Sequence, residues 1–183
     1  MSSSYLDGPD SDDEGDAMKV PAKVYTEAEV QAAKEAAQAL KAKGNEAFAA
    51  SQFDDAAAKY TQALNSLKAA GLPMDTLILL NRSASYLGLK RYVPALNDAN
   101  IAAELDATNW KAHWRKGVAL MAMSQRLFRS KQAVQAFEAC LACGTLPDNK
   151  VAEVQGELRK ARARAEQQEA ETPPADLSKC AQS

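Results

Sequence analysis

The chain has 183 residues, with 22 Lys+Arg against 24 Asp+Glu, one His and a formal net charge of −2. That length suits one domain plus tails, large enough to bury a core without disulfides or metals. Near-neutrality argues against a generic nucleic-acid binder, which would be strongly basic, and the longest apolar runs (Leu77–Leu80) are far too short to span a membrane.

The first segment, residues 1–25, opens with Asp7, Asp10, Asp12, Asp13, Glu14 and Asp16 and no basic residue before Lys19. It cannot bury enough apolar surface to order itself and reads as a disordered acidic tail. It also lacks the basic region and apolar stretch of a secretory signal. Ser11 before Asp12, Asp13 and Glu14 resembles an acidic-directed kinase site, although a plain solubilising tail accounts for the same residues.

Thr26-Glu27-Ala28-Glu29 has the capping-box form and starts the first helix, which runs towards Ser51. Val30, Ala33, Ala37, Leu40, Gly44, Ala47 and Phe48 fall on it at helical spacing. A second helix follows the turn at Ser51–Phe53 and ends near Ala70, before Gly71-Leu72-Pro73. A third is expected from about Asp75 to Leu89. A fourth opens near Pro94, where a first-turn proline costs little, and ends near Leu105. The fifth covers about Asn109 to Met123 and the sixth about Arg129 to Cys143. The seventh runs from about Asn149 to Ala170, where Thr172-Pro173-Pro174 stops it. No stretch alternates as a half-buried strand would. With 38 alanines, the best helix formers, the expectation is an all-α protein.

The helices repeat. Ala56-Tyr60-Ala63, Ala95-Ala99-Ala102 and Ala133-Phe137-Cys140 share one spacing and begin 39 and then 38 residues apart. Gly44, Ser83 and Gly117 recur in the preceding helices. Small residues belong where two helices cross, and the aromatic is expected to fill the gap to the next unit. This pattern resembles the tetratricopeptide repeat, a helix–turn–helix unit of 34 residues. The longer spacing here places insertions near Ser66–Pro73 and Ser124–Ser130. The resemblance implies an α-solenoid domain over 26–170, with repeats at about 37–74, 75–108 and 109–144. A capping helix at about 148–170 would hide the last apolar face, and a flexible tail, 171–183, would follow.

In such a solenoid the first helices line a concave surface. Lys41 and Asn45 lie four apart on one helix face, as do Lys111 and Arg115, and Asn81 takes the inward position between them. Within LKAKGNEAF, LLNRSASY and NWKAHWRKG, these five match the two-carboxylate clamp of tetratricopeptide co-chaperones. That family binds the C-terminal Glu-Glu-Val-Asp tail of the seventy- and ninety-kilodalton cytosolic heat-shock chaperones. A chain ending in aspartate offers two carboxylates a few ångströms apart, and lysine, arginine and asparagine supply the donors. The resemblance assigns Lys41, Asn45 and Asn81 to the terminal carboxylate and Lys111 to the aspartate side chain. It sends Arg115 further up the peptide, to backbone or glutamate. Phe48 and Ala84 match places that border the valine pocket, where ordinary packing would serve equally well.

Other motifs read as structural. Cys140 and Cys143 form a C-x-x-C, but Cys140 sits at a small packed repeat position, and with Cys180 and His113 no tetrahedral zinc set emerges. Three cysteines, an odd number, suit a reducing cytosol rather than a disulfide framework. His113, Trp110 and Trp114 read as packing or groove wall. Lys150, Arg159, Lys160, Arg162 and Arg164 read as a solvated basic face. With no nucleophile–base set, phosphate loop, cofactor or metal motif, the expectation is a monomeric, cytoplasmic, non-enzymatic co-chaperone or adaptor. A tetratricopeptide scaffold for another assembly, or a shortened relative of multidomain co-chaperones, stays open.

Overall fold

The computed structural model describes residues 24–124 and 127–171. Among them are seven α-helices and no strand: α1 (Glu27–Ala49), α2 (Phe53–Ala69), α3 (Thr76–Gly88), α4 (Tyr92–Leu105), α5 (Trp110–Ala122), α6 (Leu127–Ala142) and α7 (Asp148–Glu171). The acidic stretch to residue 23 with Ser11, the Thr172-Pro173-Pro174 stop, Cys180 and the C-terminal tail lie outside the described residues.

Local chemistry fixes the helix starts. The Thr26 amide donates to Glu29 Oε2 at 2.8 Å while the Glu29 amide donates to Thr26 Oγ1 at 3.2 Å, closing the capping box. Asp75 Oδ1 accepts from the amides of Leu77 and Ile78 at 2.7 and 3.1 Å and so caps α3. Asn109 caps α5 through the Lys111 amide. Pro94 sits in the first turn of α4, where its missing N–H is one of the orphans anyway. At the other end, Gly71 leaves α2 with φ 67°.

The helices pack as three successive pairs, α1 with α2, α3 with α4, and α5 with α6, and α7 closes the last pair. All nine residues of the repeat triplets are essentially solvent-free. In the first and third pairs the second-helix aromatic packs directly against the first-helix glycine of its own unit. A Cβ on Gly44 would stand 2.6 Å from the Tyr60 ring, and one on Gly117 2.4 Å from the Phe137 ring. The second pair reverses the volumes: buried Ser83 donates to the Ala95 carbonyl at 2.8 Å, and Ala99 replaces the ring. The same aromatics also face the next unit, as their spacing predicts: Tyr60 lines a pocket with Asn81 and Ala84 of α3, and Phe137 shares a cluster with Val154 and Leu158 of α7. Phe53, at the start of α2, adds a second contact of this kind, against Gly88 of α3.

Val154, Leu158, Ala161 and Ala165 of α7 are buried, and the first three join the cluster around Phe137. Near its end, Gln168 accepts from Ser130 Oγ and donates to the Ser124 carbonyl, both at 2.7 Å. Its basic face is partly matched by acids: Lys150 pairs with Glu153, Lys160 with Glu157 and Arg162 with Glu138 of α6. Among the described residues no helix is long and apolar enough to cross a membrane.

Candidate functional site

Helix α3 touches both α1 and α5, so the first helices of the three units form one layer. Where they meet, a pocket of about 260 Å³ is lined by Asn45, Phe48, Tyr60, Asn81, Ala84 and Arg115. Five of these are expected site residues. Tyr60 is the one that the sequence reading assigned to packing alone. Its ring reaches the inner face because Gly44 leaves it room.

Hydrogen bonds set the direction of the asparagines. Asn45 Oδ1 accepts from the Tyr60 hydroxyl at 2.8 Å and from Asn81 Nδ2 at 3.0 Å. Both lone pairs of that oxygen are spent, so what Asn45 has left to offer a ligand is its Nδ2 donors. Phe48, 37% exposed, meets Phe53 edge-on at 5.3 Å and gives the pocket an apolar side.

Arg115 carries the charge of the pocket. Its guanidinium donates to the Leu80 carbonyl, and no carboxylate pairs with it among the described residues. Burial pulls its pKa down to about 10, so it stays protonated at neutral pH. Burial also raises the Tyr60 phenol, against the opposing pull of the Arg115 charge. Neither group exchanges a proton near neutrality. The arrangement is suited to holding an anion beside a small apolar side chain, not to acid–base chemistry.

The two lysines stand apart. Lys41 Nζ lies 3.7 Å from Asp75 Oδ2, in a separate depression bordered by Lys34, Gln38 and Ile78. Lys111 is exposed, with Nζ 5.9 Å from the centre of the Trp110 ring. The structure therefore gathers Asn45, Asn81, Arg115, Phe48 and Ala84 into one pocket and leaves Lys41 and Lys111 outside it.

The remaining motifs settle into structure. Burial pushes the Cys140 thiol up to about 12, and its Sγ donates to the Trp110 carbonyl at 3.4 Å. A thiol so protonated is a packing group. The Cys143 thiol contacts the Cys140 carbonyl at 3.1 Å. Trp114 packs against Phe137 with 5.6 Å between ring centres, and both tryptophans join that cluster. His113 is half-buried and fastens a turn, its Nε2 donating to the Ala107 carbonyl at 2.8 Å.

No family model matches the chain. Over 121 residues, 66% of the chain, it is 34% identical to RNA polymerase II-associated protein 3 of Mus musculus. The match takes in 16% of that relative, so this chain spans about a sixth of the length of such a protein. Its fold is similar to the first TPR of Spaghetti (RPAP3) bound to the HSP90 peptide SRMEEVD. Identity there is 27% and the TM-score 0.60, over 71% of this chain and 93% of that one. It is likewise similar to the TPR2B domain in the pHsp70 complex of yeast Sti1. That comparison gives 25% identity and a TM-score of 0.61, over 71% of this chain and 98% of the other.

Proposed function

We propose that this chain, a solenoid of the tetratricopeptide-repeat fold, is a non-enzymatic cytoplasmic adaptor. It holds the C-terminal Glu-Glu-Val-Asp tail of a seventy- or ninety-kilodalton heat-shock chaperone. One observation carries the reading: Arg115 is a partly buried cation without a carboxylate partner among the described residues, in the same pocket as the Asn45 and Asn81 amides. Withdrawing a charge from water without a partner is costly even when burial is partial, and an arriving anion offsets that cost. The half-exposed Phe48 and Ala84 on the same wall suit a valine next to the terminus. The relatives solved with HSP90 and Hsp70 partners support the same class of ligand.

In this reading Asn45 and Asn81 donate to the terminal carboxylate. Arg115 shares their pocket, so its charge acts at that end of the peptide rather than only further upstream. Lys41 and Lys111 reach in from either side, Lys111 towards the aspartate side chain. Each supplies charge-assisted donors. Calorimetric titration of the full chain with a peptide ending in Glu-Glu-Val-Asp tests this, with the same peptide amidated at its C-terminus as the comparison. Amidation is expected to remove most of the affinity. Equal binding of both peptides would refute the reading.

A further inference from the structure

Lys41 has an ionic partner within the fold. Its ammonium lies 3.7 Å from Asp75 Oδ2, and both side chains are only partly exposed, 27% and 36%. Asp75 has two tasks at once. Its Oδ1 caps α3 through the Leu77 and Ile78 amides at 2.7 and 3.1 Å. The capping bonds occupy one oxygen and fix the rotamer, which leaves the other oxygen turned towards Lys41. The cap therefore holds an anion within reach of a cation one helix away, on the same α1 face as Asn45.

We infer that Asp75 is an affinity-setting residue of the peptide site: its carboxylate competes with the ligand's for the Lys41 ammonium. This rests on the reading of the pocket given above. A ligand carboxylate recruiting Lys41 must displace Asp75 or share the lysine with it, and it gains only the difference between the two pairings. The site is thus held below the affinity its donors could deliver, which favours release.

The capping task and the competing task separate chemically. Asparagine caps a helix as well as aspartate does but carries no charge. Asp75→Asn should keep the helix content and melting temperature of the full chain while freeing Lys41. Exposed pairs of this kind have modest strength, so the expected gain is about two- to fivefold in affinity for a free-carboxylate peptide ending in Glu-Glu-Val-Asp. The gain should shrink as salt is raised towards molar, where charges at this exposure are screened. Asp75→Ser, a second uncharged cap, should reproduce it.

The decisive comparison repeats Asp75→Asn in a Lys41→Met background, where the gain should vanish. An unchanged or weaker affinity for Asp75→Asn would overturn the inference, because Asp75 would then be positioning Lys41 rather than competing for it. A gain that persists without Lys41 would overturn it too, as a general field effect. If the unsubstituted chain does not bind the peptide at all, the reading of the pocket fails and this inference falls with it. If the chain binds and Asp75→Asn does nothing, only this inference falls.

Discussion

Arg82 and Arg115 both sit on first helices, and the fold treats them in opposite ways. Arg82 Nε and Nη2 donate to the two oxygens of Asp98, on α4, at 2.8 and 2.7 Å, and Nη1 donates to Thr61 of α2 at 3.0 Å. That fork joins three helices, and Asp98 is almost wholly buried. The hydrogen bonds to Asp98 raise the pKa of Arg82. Arg115 has a backbone carbonyl and no carboxylate among the described residues, and burial lowers its pKa. One charge is matched within the fold and serves its stability. The other has no carboxylate partner among the described residues, and in the proposed function a ligand anion would match it. A cation drawn partly out of water is thus informative about function only once its counter-charge has been sought.

The largest expected effects follow from exchanging each arginine for methionine. Arg82→Met strands the Asp98 carboxylate and should cost about 3–5 kcal/mol of stability in denaturant unfolding. Replacing Asp98 with leucine in the same molecule should recover most of that loss. Arg115→Met should leave stability unchanged or raised, yet weaken the peptide by about 2–5 kcal/mol in calorimetry. Equal loss of stability in both single variants would erase the contrast and place a counter-charge for Arg115 inside the fold. A smaller effect is expected at Tyr60. Tyr60→Phe keeps the ring on Gly44 but removes one of the two bonds that orient Asn45, at about 0.5–1.5 kcal/mol of peptide affinity.

The smallest expected effect is a flat profile. Between pH 6 and 8 the peptide affinity should hold steady, since Arg115 titrates at about 10 and the ligand carboxylates near 4. Affinity should fall once acid protonates those carboxylates. The sign for folding is the reverse of the usual paired arginine. Its folded-state pKa is lowered, so the charged Arg115 opposes folding throughout the neutral range, and that penalty is relieved as pH climbs through about 10.

Helix positions were largely legible in the sequence because their signals are local. Thr26 with Glu29, Asp75, Asn109 and Gly71 mark ends through their own caps and turn, and each helix falls within about two residues of its expected bounds. Asn45, Asn81 and Arg115 were legible as a set because the repeat places equivalent positions on one surface. Partners were less so. Asp98 lies sixteen residues beyond Arg82 on another helix, and no local pattern separates a matched arginine from an unmatched one. Tyr60 was hidden because its repeat position is a packing position. The clue was Gly44, whose missing side chain lets the ring through beside Asn45. The link between Lys41 and Asp75 spans an insertion between units, where periodicity carries no information.

The alternation of glycine–aromatic and serine–alanine pairs gives the array a fixed order. Gly44 with Tyr60 and Gly117 with Phe137 place the volume on the second helix, whereas Ser83 with Ala99 place less there and more on the first. Each unit is a matched set, so helices exchanged between units would not be interchangeable parts. An α3 partnered with α2 would drive the Ser83 side chain into the Tyr60 ring, and an α1 partnered with α4 would leave a void where a ring is absent. Whole helix–turn–helix units are therefore the smallest pieces of this chain that could be duplicated, shuffled or grafted without repacking.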